Sequence, residues 1–131
     1  QQVMQTSLDD AGLQASDIDY INAHATATAR GDIAESHATH AIFGSTTPIS
    51  STKGHMGHLL GGCGVVESVI CLLALNKSFL PKTMNFQKLD PECAPINVLG
   101  SNVEKDVNIV MSNNFAFGGI NTSLIFKKYQ D

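Results

Sequence analysis

The stretch Lys53-Gly-His-Met-Gly-His58-Leu-Leu-Gly-Gly62, running on through Cys63-Gly-Val-Val-Glu67-Ser-Val-Ile-Cys71-Leu-Leu-Ala-Leu-Asn76, decides how this chain folds. Residues 58–76 read as one helix that is apolar nearly all round, through Val65, Val66, Val69, Ile70, Leu72, Leu73 and Leu75. A helix of that kind lies in the middle of a protein, covered on several sides. Glycines cost a helix up to ~1 kcal/mol each, so close approach of another backbone is expected at Gly61, Gly62 and Gly64. A single carboxylate, Glu67, interrupts the run. A buried unpaired charge is prohibitive, so Lys53 or a bound cation is its expected partner. The same carboxylate argues against a membrane span for residues 59–75.

On the N-terminal side, Ile49-Ser-Ser51 is a brief strand that delivers Lys53. Further back, residues 18–23 form a short strand that delivers His24 at its end. Between them, residues 31–43 place Ala34, Ala38, Ala41 and Ile42 at helical spacing, with Gly44 as the stop. Asp32 and Glu35 fall in that helix's first turn, where its dipole favours negative charge. Residues 1–11 look like the body of a helix ended by Gly12, with neither an initiator methionine nor a cap before it. The chain therefore reads as part of a longer one. Towards the C-terminus, residues 79–86 are a strand or extended arm broken by Pro81, residues 91–95 a loop and residues 96–99 a short strand. Strands at residues 107–111 and 122–126 flank Gly118-Gly119, a hairpin signal. The order βαβα followed by ββ predicts one layered α/β domain over residues 1–131.

With 131 residues the chain is long enough for a single core. A formal charge of −4 leaves no electrostatic footprint for nucleic acid, and Lys127-Lys128 reads as a solvated strand end. Cys63, Cys71 and Cys93 are an odd set without paired spacing, which argues against disulfides and for a reducing, cytoplasmic setting. No cleavable signal pattern is seen at the N-terminus.

His37 and His40 lie on the polar side of their helix, and His55 with His58 lacks a third ligand for zinc. His58 is different: it is expected at the start of the buried helix, where dipole and Lys53 together favour a neutral imidazole that can donate an N–H. His24 occupies an equivalent strand end, the place where reacting groups converge in layered α/β folds. Two imidazoles and an ammonium can stabilise negative charge developing on a carbonyl oxygen, but no nucleophile accompanies them.

Four segments in order carry a family resemblance: His24-Ala-Thr-Ala-Thr28 with Gly31-Asp32 and Glu35; Ser50-Ser-Thr-Lys53; Gly57-His58; and Asn113-Asn-Phe-Ala-Phe-Gly-Gly119-Ile-Asn121. Together they resemble the β-ketoacyl-acyl-carrier-protein synthases of the Cys-His-His class, nearest the elongating synthases of type II fatty-acid synthesis. The resemblance implies the C-terminal half of a thiolase-like layered αβαβα fold. The activity it implies is decarboxylative Claisen condensation of an acyl group with malonyl carrier protein. It makes His24 and His58 the donors to the malonyl thioester oxygen, with Lys53 as third member. It makes the Phe117 N–H part of the oxyanion hole and its ring an acyl gate, with Phe115 lining the same entrance. Without the resemblance, Phe115 and Phe117 read as two core phenylalanines beside a tight hairpin.

Glu67, Asp32, Glu35, Thr26 and Thr28 are implied supports, and Asn22, Glu67, Ser112 and Asn113 match positions that hold a structural cation in some relatives. No cofactor is implied, since the phosphopantetheine arm arrives with the substrate. The implied partners are acyl and malonyl carrier protein, the missing N-terminal half and a second copy of the full-length protein. The family's nucleophilic cysteine begins a buried helix of that N-terminal half, a context that Cys63, Cys71 and Cys93 are not expected to share.

Departures from the family pattern are Ala27, where serine or glycine is usual, Gly62-Cys63 for two alanines, and Asn114 and Ala116 for serine and glycine. Ala116 is expected to stiffen the gate turn by removing access to positive φ. These departures leave open a polyketide or aryl-polyene relative. A cysteine-less partner subunit of the chain-length-factor kind is a further alternative. A thiolase fits less well, because the segment around residues 113–119 has no cysteine.

Overall fold

The structure, a computed structural model, describes residues 1–129. In chain order its elements are α1 (Gln2–Ala11), β1 (Tyr20–Asn22), α2 (Ala29–Phe43), β2 (Pro48–Ser50), a one-turn α3 (Lys53–Met56) and α4 (Cys63–Lys77). They continue with β3 (Phe79–Leu80), β4 (Asn97–Val98), β5 (Val103–Glu104), β6 (Ile109–Phe115) and β7 (Asn121–Lys127). Gly12 ends α1 in the left-handed region at φ 65°, as a helix-stopping glycine should.

Five strands form one sheet in the order β4-β2-β1-β6-β7. β1 runs parallel to β2 and β6, β2 parallel to β4, and only the β6–β7 hairpin is antiparallel. The α2 crossover is what allows β1 and β2 to run parallel. Because β1, β2 and β6 point the same way, their C-terminal ends meet on one edge of the sheet. β3 and β5 make a separate antiparallel pair that the sequence did not announce. The expected extended arm shrinks to Phe79–Leu80, since Pro81 has no N–H to continue a ladder.

Side chains alternate across the strands and divide the core in two. Ile21, Ile49 and Met111 face Met4 and Leu8 of α1 and Phe43 of α2. Tyr20 and Val110 face Cys71, Ala74 and Leu75 of α4. The result is a three-layer αβα arrangement, part of the five-layer thiolase-like fold expected from the sequence. Only one side of α4 is covered. Val65 is 71 % exposed, and Val69, Leu72 and Leu73 stand open beside it. The glycines differ from expectation too. Gly61 and Gly62 belong to a 3₁₀ turn (Leu60–Gly62) ahead of α4, and nothing lies within 4 Å of where a side chain at Gly61 or Gly64 would start.

Residues Leu60–Lys77 are long and apolar enough to cross a bilayer by length and composition alone. Glu67, in the middle of that stretch, is instead fully buried in an ion pair with Lys53.

Candidate active site

His24 follows β1 by two residues, on the edge where β1, β2 and β6 end. Its backbone is held by α2: Glu35 accepts from the His24 N–H at 2.9 Å and from the Ala25 N–H at 2.7 Å. Burial pushes the Glu35 carboxyl up to about 7 against the opposing pull of those two N–H groups. Ser51 Oγ donates to the Ala25 carbonyl at 2.8 Å, tying the loop after β1 to the loop after β2. Thr26 and Thr28 place their hydroxyls 3.2 Å apart at the entrance to α2, while Asp32 keeps a buried Oδ1 without a partner among the described residues.

Lys53 opens α3 directly after β2 and is only 7 % exposed. Its Nζ donates to Glu67 Oε1. Glu67 Oε2 accepts from Asn114 Nδ2 at 3.0 Å, so both carboxylate oxygens are engaged. Asn114 is a member of the site that sequence reasoning passed over as a mere replacement for serine. Its place on β6, two residues after Ser112, is the signal that puts it on the α4 face of the sheet.

The expected cation set does not converge as side chains. Asn22 Nδ2 donates to Ser112 Oγ at 3.3 Å on the α4 side, whereas Asn113, one residue along, faces α1 and donates to Met4 Sδ at 3.4 Å. The positive charge beside Glu67 is Lys53 itself. No cluster of three or more His, Cys, Asp or Glu suited to a metal ion occurs among the described residues.

The two histidines meet. The rings of His24 and His58 lie 5.6 Å apart at 85°, and Phe115 closes on His24 at 5.8 Å and 68°. Burial lowers the His24 pKa and the Lys53 ammonium lowers it further, so this imidazole is neutral at physiological pH.

His58 does not start the buried helix, as the sequence had suggested. α4 begins at Cys63, and His58 stands on the loop before it. The helix dipole is therefore not what positions it. Instead the Leu60 N–H donates to His58 Nδ1 at 3.1 Å, and Cys63 Sγ lies 3.0 Å from the same nitrogen. With Nδ1 accepting from a backbone amide, the proton of the neutral ring belongs on Nε2.

Cys63 is a second correction, because it does open an apolar helix. Its sulfur is buried and bonded to His58 and to the Leu59 N–H, at 3.2 Å. Cys71 is held inert, its thiol pushed up to about 12 by burial.

The β6–β7 hairpin carries Phe115 and Phe117, the residues expected to form the gate. Phe117 is 99 % exposed and Phe115 is half-buried against His24, so they are not the two core phenylalanines that composition suggests. Positive φ is used by Gly118 and Gly119, both at 79°, while Ala116 sits at an ordinary φ of −103°. Ala116 therefore does not stiffen the turn in the way expected.

The remaining histidines lie apart from this site. His37 and His55 bond the carbonyls of Glu92 and Lys82 at 3.0 and 2.9 Å, and His40 bonds Ser45. A cavity of about 430 Å³ lies between α2 and the segment around Phe86 and Cys93. None of His24, Lys53 and His58 lines it.

Residues 1–87 match the family described as beta-ketoacyl synthase, C-terminal domain. A Schizosaccharomyces pombe protein named as a mitochondrial 3-oxoacyl-[acyl-carrier-protein] synthase is 46% identical across 96% of this chain and 32% of its own length. The 3-oxoacyl-[acyl-carrier-protein] synthase 1 of Escherichia coli K12 is 40% identical across 87% of this chain and 28% of its own. Among solved structures, a beta-ketoacyl synthase from Burkholderia phymatum superposes with a TM-score of 0.93 at 48% identity, covering 97% of this chain and 31% of that one. The chain thus spans about a third of the length of the relatives it matches.

Proposed function

The chain belongs to the β-ketoacyl synthase family as its C-terminal domain, and from that premise we propose that it forms the histidine and lysine side of the active site of a decarboxylating condensing enzyme. The observation that carries the reading is the perpendicular His24–His58 pair, 5.6 Å apart, together with the buried Lys53–Glu67 pair. In the proposed reaction an acyl group rests as a thioester on a cysteine of an N-terminal portion. Malonyl carrier protein then loses carbon dioxide. The electron pair of the broken C–C bond moves into the thioester, whose oxygen takes up negative charge as an enolate.

His24, neutral, and His58, whose Nδ1 accepts the Leu60 N–H, each direct a ring N–H to that oxygen. Donors fixed in advance cost no reorganisation when the charge appears. The enolate carbon attacks the acyl thioester, a C–C bond forms, and the cysteine sulfur leaves with the electron pair of the broken C–S bond. The Phe117 N–H stabilises the oxyanion of that second step, and the exposed Phe117 ring gates the acyl channel. Lys53 neutralises Glu67 and adds to burial in keeping His24 neutral.

The partners proposed with this activity are acyl and malonyl carrier proteins, whose phosphopantetheine arm removes any need for a resident cofactor. The apolar face of α4 is the surface for the N-terminal portion, and the assembled protein is a homodimer. Three unpaired cysteines fit a reducing compartment, which we take to be the cytoplasm, and we read Leu60–Lys77 as a core helix and not as a membrane span. The test is to supply the full-length protein with acyl and malonyl carrier proteins and follow the 3-oxoacyl product. Product formation is expected. Tight association with a second ketosynthase subunit, with no carbon dioxide released by this one, would instead identify a chain-length-factor-like partner.

A further inference from the structure

Cys63 stands where the family more often has alanine, and its thiol has no role in the reaction as proposed. Its position is nevertheless specific. Sγ is buried at the first residue of α4, 3.0 Å from His58 Nδ1 and 3.2 Å from the Leu59 N–H that donates to it. His58 Nδ1 also receives the Leu60 N–H at 3.1 Å.

These contacts settle the direction of each hydrogen bond. The sulfur already accepts from Leu59, and Nδ1 already accepts from Leu60. The only proton left for the short Sγ–Nδ1 contact is that of the thiol. The run is therefore Leu59 N–H to Sγ, S–H to Nδ1, with Leu60 N–H converging on the same nitrogen. His58 lies on an exposed loop just after Gly57, whose φ is 80°. Apart from Leu60, the thiol is the only group among the described residues that hydrogen-bonds its ring. Thiol donors are weak, but one held at 3.0 Å and capped from behind by an amide is directed.

We propose that Cys63 is a positioning residue for His58: its thiol proton joins the Leu60 amide in holding the imidazole in the Nε2–H tautomer and turns that N–H toward the substrate oxygen. The inference rests on the reading of His58 as an oxyanion donor. An alanine leaves this task to the Leu60 amide alone. Here the thiol makes the ring's orientation depend on α4, a rigid core helix, as well as on its own loop.

The test uses the full-length protein with ¹⁵N-labelled histidine, and the variants Cys63→Ala and Cys63→Ser. Wild type should give His58 ¹⁵N shifts of a neutral ring protonated at Nε2. Cys63→Ala should move both ring resonances toward the values averaged between tautomers. It should also lower kcat for malonyl decarboxylation ~3–10-fold, as fits the loss of one hydrogen bond, with KM within about twofold. Cys63→Ser, which keeps an O–H donor, should restore the shifts and most of kcat. Unchanged shifts in Cys63→Ala would overturn the proposal, as would a kcat loss that serine does not rescue, since that marks packing alone. A wild-type ring protonated on both nitrogens would overturn it too. If His58→Ala leaves decarboxylation intact, the function reading fails, while the ¹⁵N comparison still decides whether the thiol sets the tautomer.

Discussion

At the scale of single residues, the buried Lys53–Glu67 pair is the part of the site that the sequence declared most openly. A carboxylate inside an apolar helix demands a partner, and the lysine ahead of that helix is the partner found. What could not be read was the other half of the carboxylate's environment. Asn114 reaches Glu67 because β6 runs on to Phe115, bringing into the strand residues assigned to a turn. Ala27 is a similar case: it holds φ 60°, a left-handed conformation that glycine adopts without strain. Removing one member of a buried pair leaves the other charge uncompensated and costs ~3–5 kcal/mol, whereas replacing both by apolar residues is far milder. Glu67→Gln should accordingly lower unfolding stability of the full-length protein by about that amount, and Lys53→Met combined with Glu67→Leu by much less. Denaturant titration measures both. Equal losses in the two variants would show that the pair's charge is not what matters there.

Elements position these residues, and here the sequence was legible in kind but not in detail. The strands that deliver His24 and Lys53 were found by their short apolar runs, while their parallel pairing across α2 is seen only in the structure. The start of α4 was misplaced by five residues, from His58 to Cys63, because hydrophobic periodicity does not distinguish a 3₁₀ turn at Leu60–Gly62 from the helix it precedes. The functions of the α2 carboxylates likewise depend on tertiary structure. Glu35 is a clamp on the backbone at His24, and its raised pKa gives that clamp a pH signature. The folded carboxyl holds its proton up to about 7, the unfolded one only to about 4.5, so the folded state binds more protons between those values. Its contribution to stability is complete below about 4.5 and declines as pH rises through about 7. Glu35→Gln has no such titration. The difference in stability between wild type and variant, followed by denaturant unfolding across this window, should shrink with rising pH by up to ~3 kcal/mol. A difference independent of pH would show that burial does not hold the Glu35 proton in the folded state.

The whole molecule is organised around a helix that is half covered. Residues 1–129 form three layers, and the open face of α4 is where the rest of a five-layer fold would pack. That much was visible in the apolar circumference of the helix, because a stripe that wide cannot be satisfied by one sheet. A contiguous apolar face of this kind drives association in water. Produced alone, residues 1–131 should self-associate at micromolar concentration, and Val69→Asp with Leu73→Asp should relieve it, as sedimentation would register. The same two substitutions in the full-length protein should prevent folding of the assembled domain. A monomeric wild-type fragment would mean that the face is covered in some other way.

At this scale too lies the central claim, that His24 and His58 stabilise the charge released by decarboxylation. The direct measurement is release of labelled carbon dioxide from malonyl carrier protein by the full-length protein and by His58→Ala, with acyl transfer from carrier protein to the enzyme followed in parallel. The account predicts carbon dioxide release lowered ~10²–10³-fold in the variant, the usual loss for one oxyanion donor, with acyl transfer retained. Undiminished release would contradict it.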